Sequence, residues 1–191
     1  MKAVGIFGGT FDPIHIGHLI TAQVVKEIRG LEKIIFIPAF VSPHKTDKQH
    51  TSPLHRLEML KFAILNNRSF EYSEFEIEKQ EVSYSIDTIK MLKKKYSSIE
   101  LIIGYDNLLV FDSWKDPDEI VNLVKLVVLK RETENSGTRN KYFDHAVFVQ
   151  TPLIEISSTQ IRERVRNNKP IDFFVPEKVK EYIYKNNLYK E

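Results

Sequence analysis

The chain has 191 residues, with 28 Lys plus Arg against 26 Asp plus Glu and no cysteine. One domain over residues 1–191 is the default for that length; the balanced charge speaks against a dedicated nucleic-acid binder, and the missing cysteines exclude disulfides, thiol catalysis and cysteine-ligated metal. Apolar residues make up 42%, no stretch approaches the ~18 apolar residues of a membrane span, the start breaks at Gly8-Gly9 too early for a signal peptide, and the cysteine-free composition leans towards a cytoplasmic protein.

In chain order the pattern alternates strand and helix, with no repeat, low-complexity tract or linker. Ala3–Phe7 is an apolar run ended by Gly8-Gly9, which predicts a buried strand and a tight turn. Gly17–Ile28 carries Leu19, Ala22, Val25 and Ile28 at helical spacing, with Gly30 placed to stop that helix. Lys33–Pro38 is strand-like, and the 14 residues from Ala39 to Ser52 show no period. A connection that long suggests function. Ser52-Pro53 predicts a helix with Ser as N-cap and Pro at its first position. Phe70–Ile77 alternates, as a strand near a sheet edge does. Ile86–Tyr96 is helical, its lysines 93–95 at a solvated last turn near the dipole's negative end. Leu101–Ile103 is a buried strand stopped by Gly104, and Asp116-Pro117-Asp118-Glu119 is a helix start. Leu126–Leu129 and Ala146–Val149 read as strands separated by a polar loop around Glu132–Lys141, and helices follow from about Ser158 and Pro176.

Continuous apolar strands alternating with helices predict an α/β fold, a doubly wound parallel sheet covered on both faces. Such sheets bind ligands at the carboxyl ends of their strands. The first strand runs into Gly8-Gly9-Thr10-Phe11-Asp12-Pro13-Ile14-His15-Ile16-Gly17-His18. Glycines let backbone amides approach a ligand closely, and a helix starting near Gly17 aims its N–H groups and dipole at the same place. His15 and His18 flank that start. Taken singly, Gly-Gly is more often a turn, a His-x-x-His pair lacks a third metal ligand here, and a histidine near a helix start is usually structural. Together after the first strand they predict a polyphosphate site that is neither a Walker loop nor a G-x-G-x-x-G fingerprint.

These residues resemble the signature of the nucleotidyltransferase superfamily with the T/H-x-G-H motif. From Lys2 almost to Glu191 the chain is similar to the bacterial nicotinate-nucleotide adenylyltransferases, which make deamido-NAD from ATP and nicotinate mononucleotide. The resemblance implies a Rossmann-like fold, catalytic roles for His15, His18 and Arg162, and ATP contacts from Gly8, Gly9, Thr10 and Phe11. Ile156-Ser157-Ser158-Thr159-Gln160-Ile161-Arg162 has capping-box spacing between Ser157 and Gln160, which read alone leaves an anion-binding helix N-terminus and an ordinary capped helix with a surface arginine equally open. In the family this segment meets the ATP phosphates, which implies Ile156, Ser157 and Ser158 as ATP ligands. Gly104 and Asp106 fall on the family's G-x-D around adenosine; unsupported, Asp106 would be a helix cap. Lys45 in Pro43-His44-Lys45 falls on P-P-H-K, although Ser42 replaces the first proline. The resemblance makes it a phosphate contact, where a solvated loop lysine would otherwise be the reading. Arg56, near the start of the following helix, matches a family arginine, and the plain reading for it is a support of that loop.

Ser83-Tyr84-Ser85-Ile86-Asp87-Thr88 resembles S-Y-T-x-D-T, with Ser85 keeping a hydroxyl for the nicotinate carboxylate. Trp114 is the only tryptophan, among polar neighbours rather than in an apolar run, and the family stacks the pyridine ring on it. Lys115 stands where a second aromatic often follows, and a lysine can pair with the nicotinate carboxylate. The substrate phosphate is its own nucleophile, since its second pKa is about 6. The cofactor implied is Mg²⁺ carried by the ATP phosphates, with no metal ligands assigned to the protein. Partners are the small molecules ATP and nicotinate mononucleotide, without nucleic acid or membrane, and a homo-oligomer is left open. Competing readings are the same transfer to nicotinamide mononucleotide or phosphopantetheine, a non-catalytic adenine-nucleotide sensor, and a relative of class I tRNA synthetases. The short chain with no anticodon module weighs against the last.

Overall fold

The computed structural model describes residues 2–41, 51–130 and 139–190. Among these, strands β1 (Val4–Gly9), β2 (Ile34–Pro38), β3 (Phe70–Tyr72), β4 (Ile99–Gly104), β5 (Lys125–Leu129) and β6 (Ala146–Val149) form one sheet in the order β3-β2-β1-β4-β5-β6. Every pairing is parallel, with Ile6 between Ile35 and Leu101. This is the doubly wound, Rossmann-like order, with its switch point between β1 and β4.

The helices are α1 (Ile16–Arg29), α2 (Pro53–Ile64), α3 (Phe75–Lys79), α4 (Ser85–Lys93), α5 (Tyr105–Leu109), α6 (Pro117–Leu123), α7 (Ser158–Arg166) and α8 (Glu177–Lys185). Side chains alternate across the sheet, so Ile34 and Phe36 join one core and Ile35 and Ile37 the other. The first core receives α1, α2, α7 and α8 through Ala22, Val25, Met59, Leu60, Ile161, Val165, Val179 and Ile183. The second receives α4, α5 and α6 through Ile86, Ile89, Leu92, Leu108 and Ile120. Each such burial contributes about 1.5–3 kcal/mol for a Leu- or Ile-sized side chain, and it is this two-sided burial that allows the strands to be apolar throughout.

Most predicted elements fall where the pattern places them, and the exceptions have local causes. The alternating run Phe70–Ile77 is strand only to Tyr72. Ser73 gives its N–H to the Phe36 carbonyl at 3.0 Å, and its Oγ accepts from the Phe75 amide at 3.3 Å, which turns the chain into α3. β3 does lie at the sheet edge. α4 ends at Lys93, before Tyr96. Pro53 and Pro117 open their helices as predicted, but neither Ser52 nor Asp116 caps with its side chain, and Asp116 itself has φ 51°. Most of the predicted polar loop 132–141 lies outside the described residues. Gly30 ends α1 with φ 61°, the left-handed conformation glycine reaches without penalty.

Candidate functional site

At the switch point the carboxyl ends of β1 and β4 part, as alternating crossovers require. A cavity of about 240 Å³ opens there, lined from β1 by Phe7, Gly8, Gly9 and Thr10 and from β4 by Ile103 and Gly104. Its far wall is Glu76, Ser83, Tyr84 and Ser85 together with Asn107, Ser113, Trp114 and Lys115. A Cβ built on Gly8 would meet nothing within 4 Å. Protein packing therefore does not call for glycine at that position; the space beside it is the cavity.

Beyond β1 the chain makes a turn whose Asp12–Pro13 peptide is cis. Phe11 takes φ 49° there, unusual for a bulky residue, and its ring is buried against Phe7, His18 and Phe36 at 6.1, 5.1 and 5.7 Å between centroids. Phe11 can thus offer a ligand only its backbone. His15 and His18 stack with ring centroids 3.7 Å apart. Gly17 makes room for this, since a Cβ there would lie 3.1 Å from the His15 ring. His15 is 6% exposed, its Nδ1 has no hydrogen-bond partner among the described residues, and burial pushes its pKa down to about 4. It is a neutral imidazole. His18 Nδ1 accepts the His15 backbone N–H at 3.3 Å, which needs that nitrogen unprotonated and so places the ring proton on Nε2.

One predicted feature is weaker than the sequence suggests. The N–H of Ile16, first in α1, is donated to the Phe174 carbonyl at 2.9 Å, so it does not serve an anion. α7 compensates. Ser157 Oγ caps it by accepting from Gln160 N at 3.1 Å. Ser158 Oγ donates to the Pro13 carbonyl at 2.9 Å. Arg162 Nη1 donates to the Asp12 carbonyl at 2.7 Å and Nη2 to Thr159 Oγ1 at 3.2 Å. The second helix N-terminus is thereby bolted to the turn that carries the histidines. Ile156 is half-buried against the first core.

The predicted residues thus fall into two adjoining groups. Gly8, Gly9, Thr10, Gly104, Ser85, Trp114 and Lys115 line the cavity. His15, His18, Ser158 and Arg162 cluster around the turn beside it, with His18 touching the cavity residue Phe7 at 6.3 Å between centroids. Asp106 is exposed on α5 while Asn107 of the same turn lines the cavity. Lys45 lies outside the described residues. Trp114 packs on Phe111 at 4.9 Å and stays half-buried. Lys115 Nζ sits 4.7 Å above the Tyr84 ring and 3.5 Å from Asp87. The acidic side chain Asp87 is held below the usual carboxylate range chiefly by its bond to Lys79 at 2.9 Å.

Sequence reasoning missed Glu76 and Asn107, while Arg56, read as a support of the loop after β2, has that place in the structure. Glu76 is 8% exposed and accepts from Thr88 Oγ1 at 2.6 Å, and burial raises its pKa. It stands among Glu74, Glu78 and Glu81, so only the turn into α3 distinguishes it from a surface acid. Arg56 is 1% exposed and donates to the carbonyls of Thr10, Phe40 and Thr51 at 2.7, 3.0 and 3.0 Å. It joins the ends of β1 and β2 and the start of α2. Among the described residues no group of three or more His, Cys, Asp or Glu could hold a metal ion. No helix among them is long and apolar enough to cross a membrane.

A Rossmann-like sheet with a glycine turn, an H-x-G-H helix start and a crevice at its switch point defines a nucleotidyltransferase-type protein, and the cytidylyltransferase-like family matches residues 6–164. Over 192 residues the chain is 42% identical to the nicotinate-nucleotide adenylyltransferase of Bacillus subtilis (strain 168), covering 100% of both chains. Over 195 residues it is 41% identical to a Caldicellulosiruptor saccharolyticus protein named as a probable enzyme of the same kind, covering 98% of this chain and 99% of that one. The chain belongs to the nicotinate-nucleotide adenylyltransferase family. Its fold is also that of the Plasmodium falciparum nicotinic acid mononucleotide adenylyltransferase complexed with NaAD, with TM-score 0.77 at 20% identity, covering 99% and 98% of the two chains.

Proposed function

We propose that this chain, acting in the cytoplasm as one nucleotidyltransferase domain, transfers the adenylyl group of ATP to nicotinate mononucleotide, giving deamido-NAD and pyrophosphate. The observation that carries the reading is the 42% identity along the whole length, joined to a cavity at the switch point that ends on the Gly8-Gly9-Thr10 turn.

The 5′-phosphate of the acceptor is the nucleophile and needs no base, because its second pKa is about 6. The protein's task is to bring two anions together in line and to stabilise the charge of the transition state. Thr10 offers its backbone N–H just past β1's end, and Gly8, with open space where a Cβ would stand, lets a ligand approach closely there. His18 offers Nε2–H, and His15, held neutral by burial, adds no repelling charge to it. Arg162 uses two of its nitrogens on Asp12 and Thr159 and keeps further N–H donors of its five for the phosphates. Ser157, Ser158 and Ile156 place the N-terminus of α7 beside them, Gly104 lines the cavity, and Gly104 and Asp106 are assigned to the adenosine by the family likeness. Lys45 is assigned to a phosphate by the family likeness alone. A Mg²⁺ ion would arrive on the ATP and neutralise triphosphate oxygens, keeping several waters. The one acid in the turn supports this, since the oxygens of Asp12 already accept from Tyr189 and Thr51.

On the acceptor side the pyridine ring stacks on Trp114, and Ser85 and Lys115 meet its carboxylate. The pairing of Lys115 with Asp87 and the Tyr84 face keeps the ammonium at the cavity wall. A cation there favours nicotinate over its uncharged amide. The test is pyrophosphate release from ATP and nicotinate mononucleotide. His18→Ala should lower kcat by about 10²–10³-fold, the range for one preorganised donor, with an unchanged circular dichroism spectrum. Near-normal release by that variant would remove His18 from the mechanism.

A further inference from the structure

The buried acid of the turn is held from the other end of the chain. Asp12 is 3% exposed. Its Oδ1 accepts from the Tyr189 hydroxyl at 2.8 Å, and its Oδ2 from the Thr51 amide at 3.1 Å. Burial alone would raise the Asp12 pKa, but the bonds from Tyr189 and Thr51 and the charge of Arg162 lower it, so the acid is ionised. The Asp12 carbonyl meanwhile accepts from Arg162. Side chain and main chain of one residue are thus fixed by three distant segments.

Tyr189 does not reach this position by continuing α8. The chain leaves the helix after Lys185, Leu188 N–H returns to the Ile183 carbonyl at 3.0 Å, and Asn187 and Tyr189 both take left-handed φ, 50° and 65°. For a tyrosine that conformation is costly, and it is maintained by a half-buried ring packed on the first core and by the bond to Asp12. Nothing in the cavity wall involves Tyr189, so its effect on a phosphate site passes through Asp12.

Resting on the adenylyl-transfer reading, we propose that Tyr189 is a positioning residue: its hydroxyl fixes Asp12 and thereby the Phe11–Pro13 turn that presents His15 and His18 to the reacting phosphates. Misplacing catalytic groups by about 1 Å can cost about 10²-fold, and deleting one of several supports should cost less. Tyr189→Phe keeps the ring and removes only the hydroxyl. Ile183→Val in α8 serves as a control that thins the same core without touching the turn. The expected result for Tyr189→Phe is a kcat about tenfold lower with KM for both substrates within about twofold, and amide hydrogen exchange at residues 11–16 at least about tenfold faster. Ile183→Val should match its loss of thermal stability without either change. Unaltered exchange in Tyr189→Phe, or an equal loss of kcat in Ile183→Val, would overturn the positioning role. A wild-type protein that is inactive on ATP and nicotinate mononucleotide would overturn the transfer reading instead, and the exchange measurement would still decide whether Tyr189 orders the turn.

Discussion

At the scale of single residues the stacked histidines set the strongest constraint. Two imidazolium rings 3.7 Å apart would repel, and burial resolves this by keeping His15 neutral with a pKa near 4 instead of 6.5. The consequence for stability has a definite sign. Between those two values the unfolded chain binds a proton that the folded chain refuses, so stability is full above about pH 6.5 and declines as pH falls towards 4. A shift of this size corresponds to about 2 kcal/mol between pH 7 and 4.5. Urea unfolding at these two pH values should show wild type losing that much more than His15→Asn, which has no proton to gain. Equal pH dependence in the two proteins would mean that His15 takes up its proton as readily in the fold as in the unfolded chain. The histidine pair was legible in the sequence as a motif. Its division into one neutral ring and one donor was not, because that depends on burial and on the single His15 N–H to His18 Nδ1 bond. Arg56 was legible as a support of the loop but not in its three carbonyl partners, and Tyr189 not at all, since it acts on a carboxylate far along the chain that no local pattern advertises.

At the scale of elements, two of the three glycines in β1 have opposite duties. Gly5 lies mid-strand, where a Cβ would come within 2.7 and 2.8 Å of Ile34 and Leu31 side chains. Gly8 lies at the end, with open cavity beside it. Overpacking a core costs about 1–3 kcal/mol, so Gly5→Ala should lower Tm by several degrees in a chain of this size and leave substrate KM near wild type. Gly8→Ala should do the reverse, with Tm unchanged and KM for ATP raised about tenfold or more. Calorimetric melting and steady-state kinetics on both variants separate the two cases, and a fall in Tm for Gly8→Ala without a change in KM would show that the cavity is not where ATP lies. Elements with a strong period were read correctly from sequence, α1 with its Gly30 stop and the apolar β2 and β4 among them. The segment after β3 was misread because Phe75 and Ile77, two apart, satisfy a strand pattern and a single helical turn equally well. Ser73 settles the choice through a hydrogen bond that composition does not encode.

For the whole molecule the sheet order β3-β2-β1-β4-β5-β6 explains why residues from Gly8 to Arg162 meet at one edge. Parallel strands send every loop that follows them to the same side, and the reversal at β1 and β4 leaves the crevice. This much followed from strand–helix alternation. What alternation could not show is that the crevice side is also tied together underneath, by Arg56 across three segments and by α7 onto the turn. The near-neutral charge of the chain conceals the result, a cavity wall bearing Lys115 and Trp114 beside a turn flanked by His18 of α1 and Arg162 of α7. The most direct test of the central claim is pyrophosphate release by the wild-type protein with ATP and, in parallel, nicotinate mononucleotide, nicotinamide mononucleotide or phosphopantetheine. The account predicts rapid release with nicotinate mononucleotide and a kcat/KM at least about tenfold lower for its amide, the effect of one lost charge pairing of about 1.4 kcal/mol. Preference for the amide or for phosphopantetheine, or ATP binding without release for any acceptor, would contradict it.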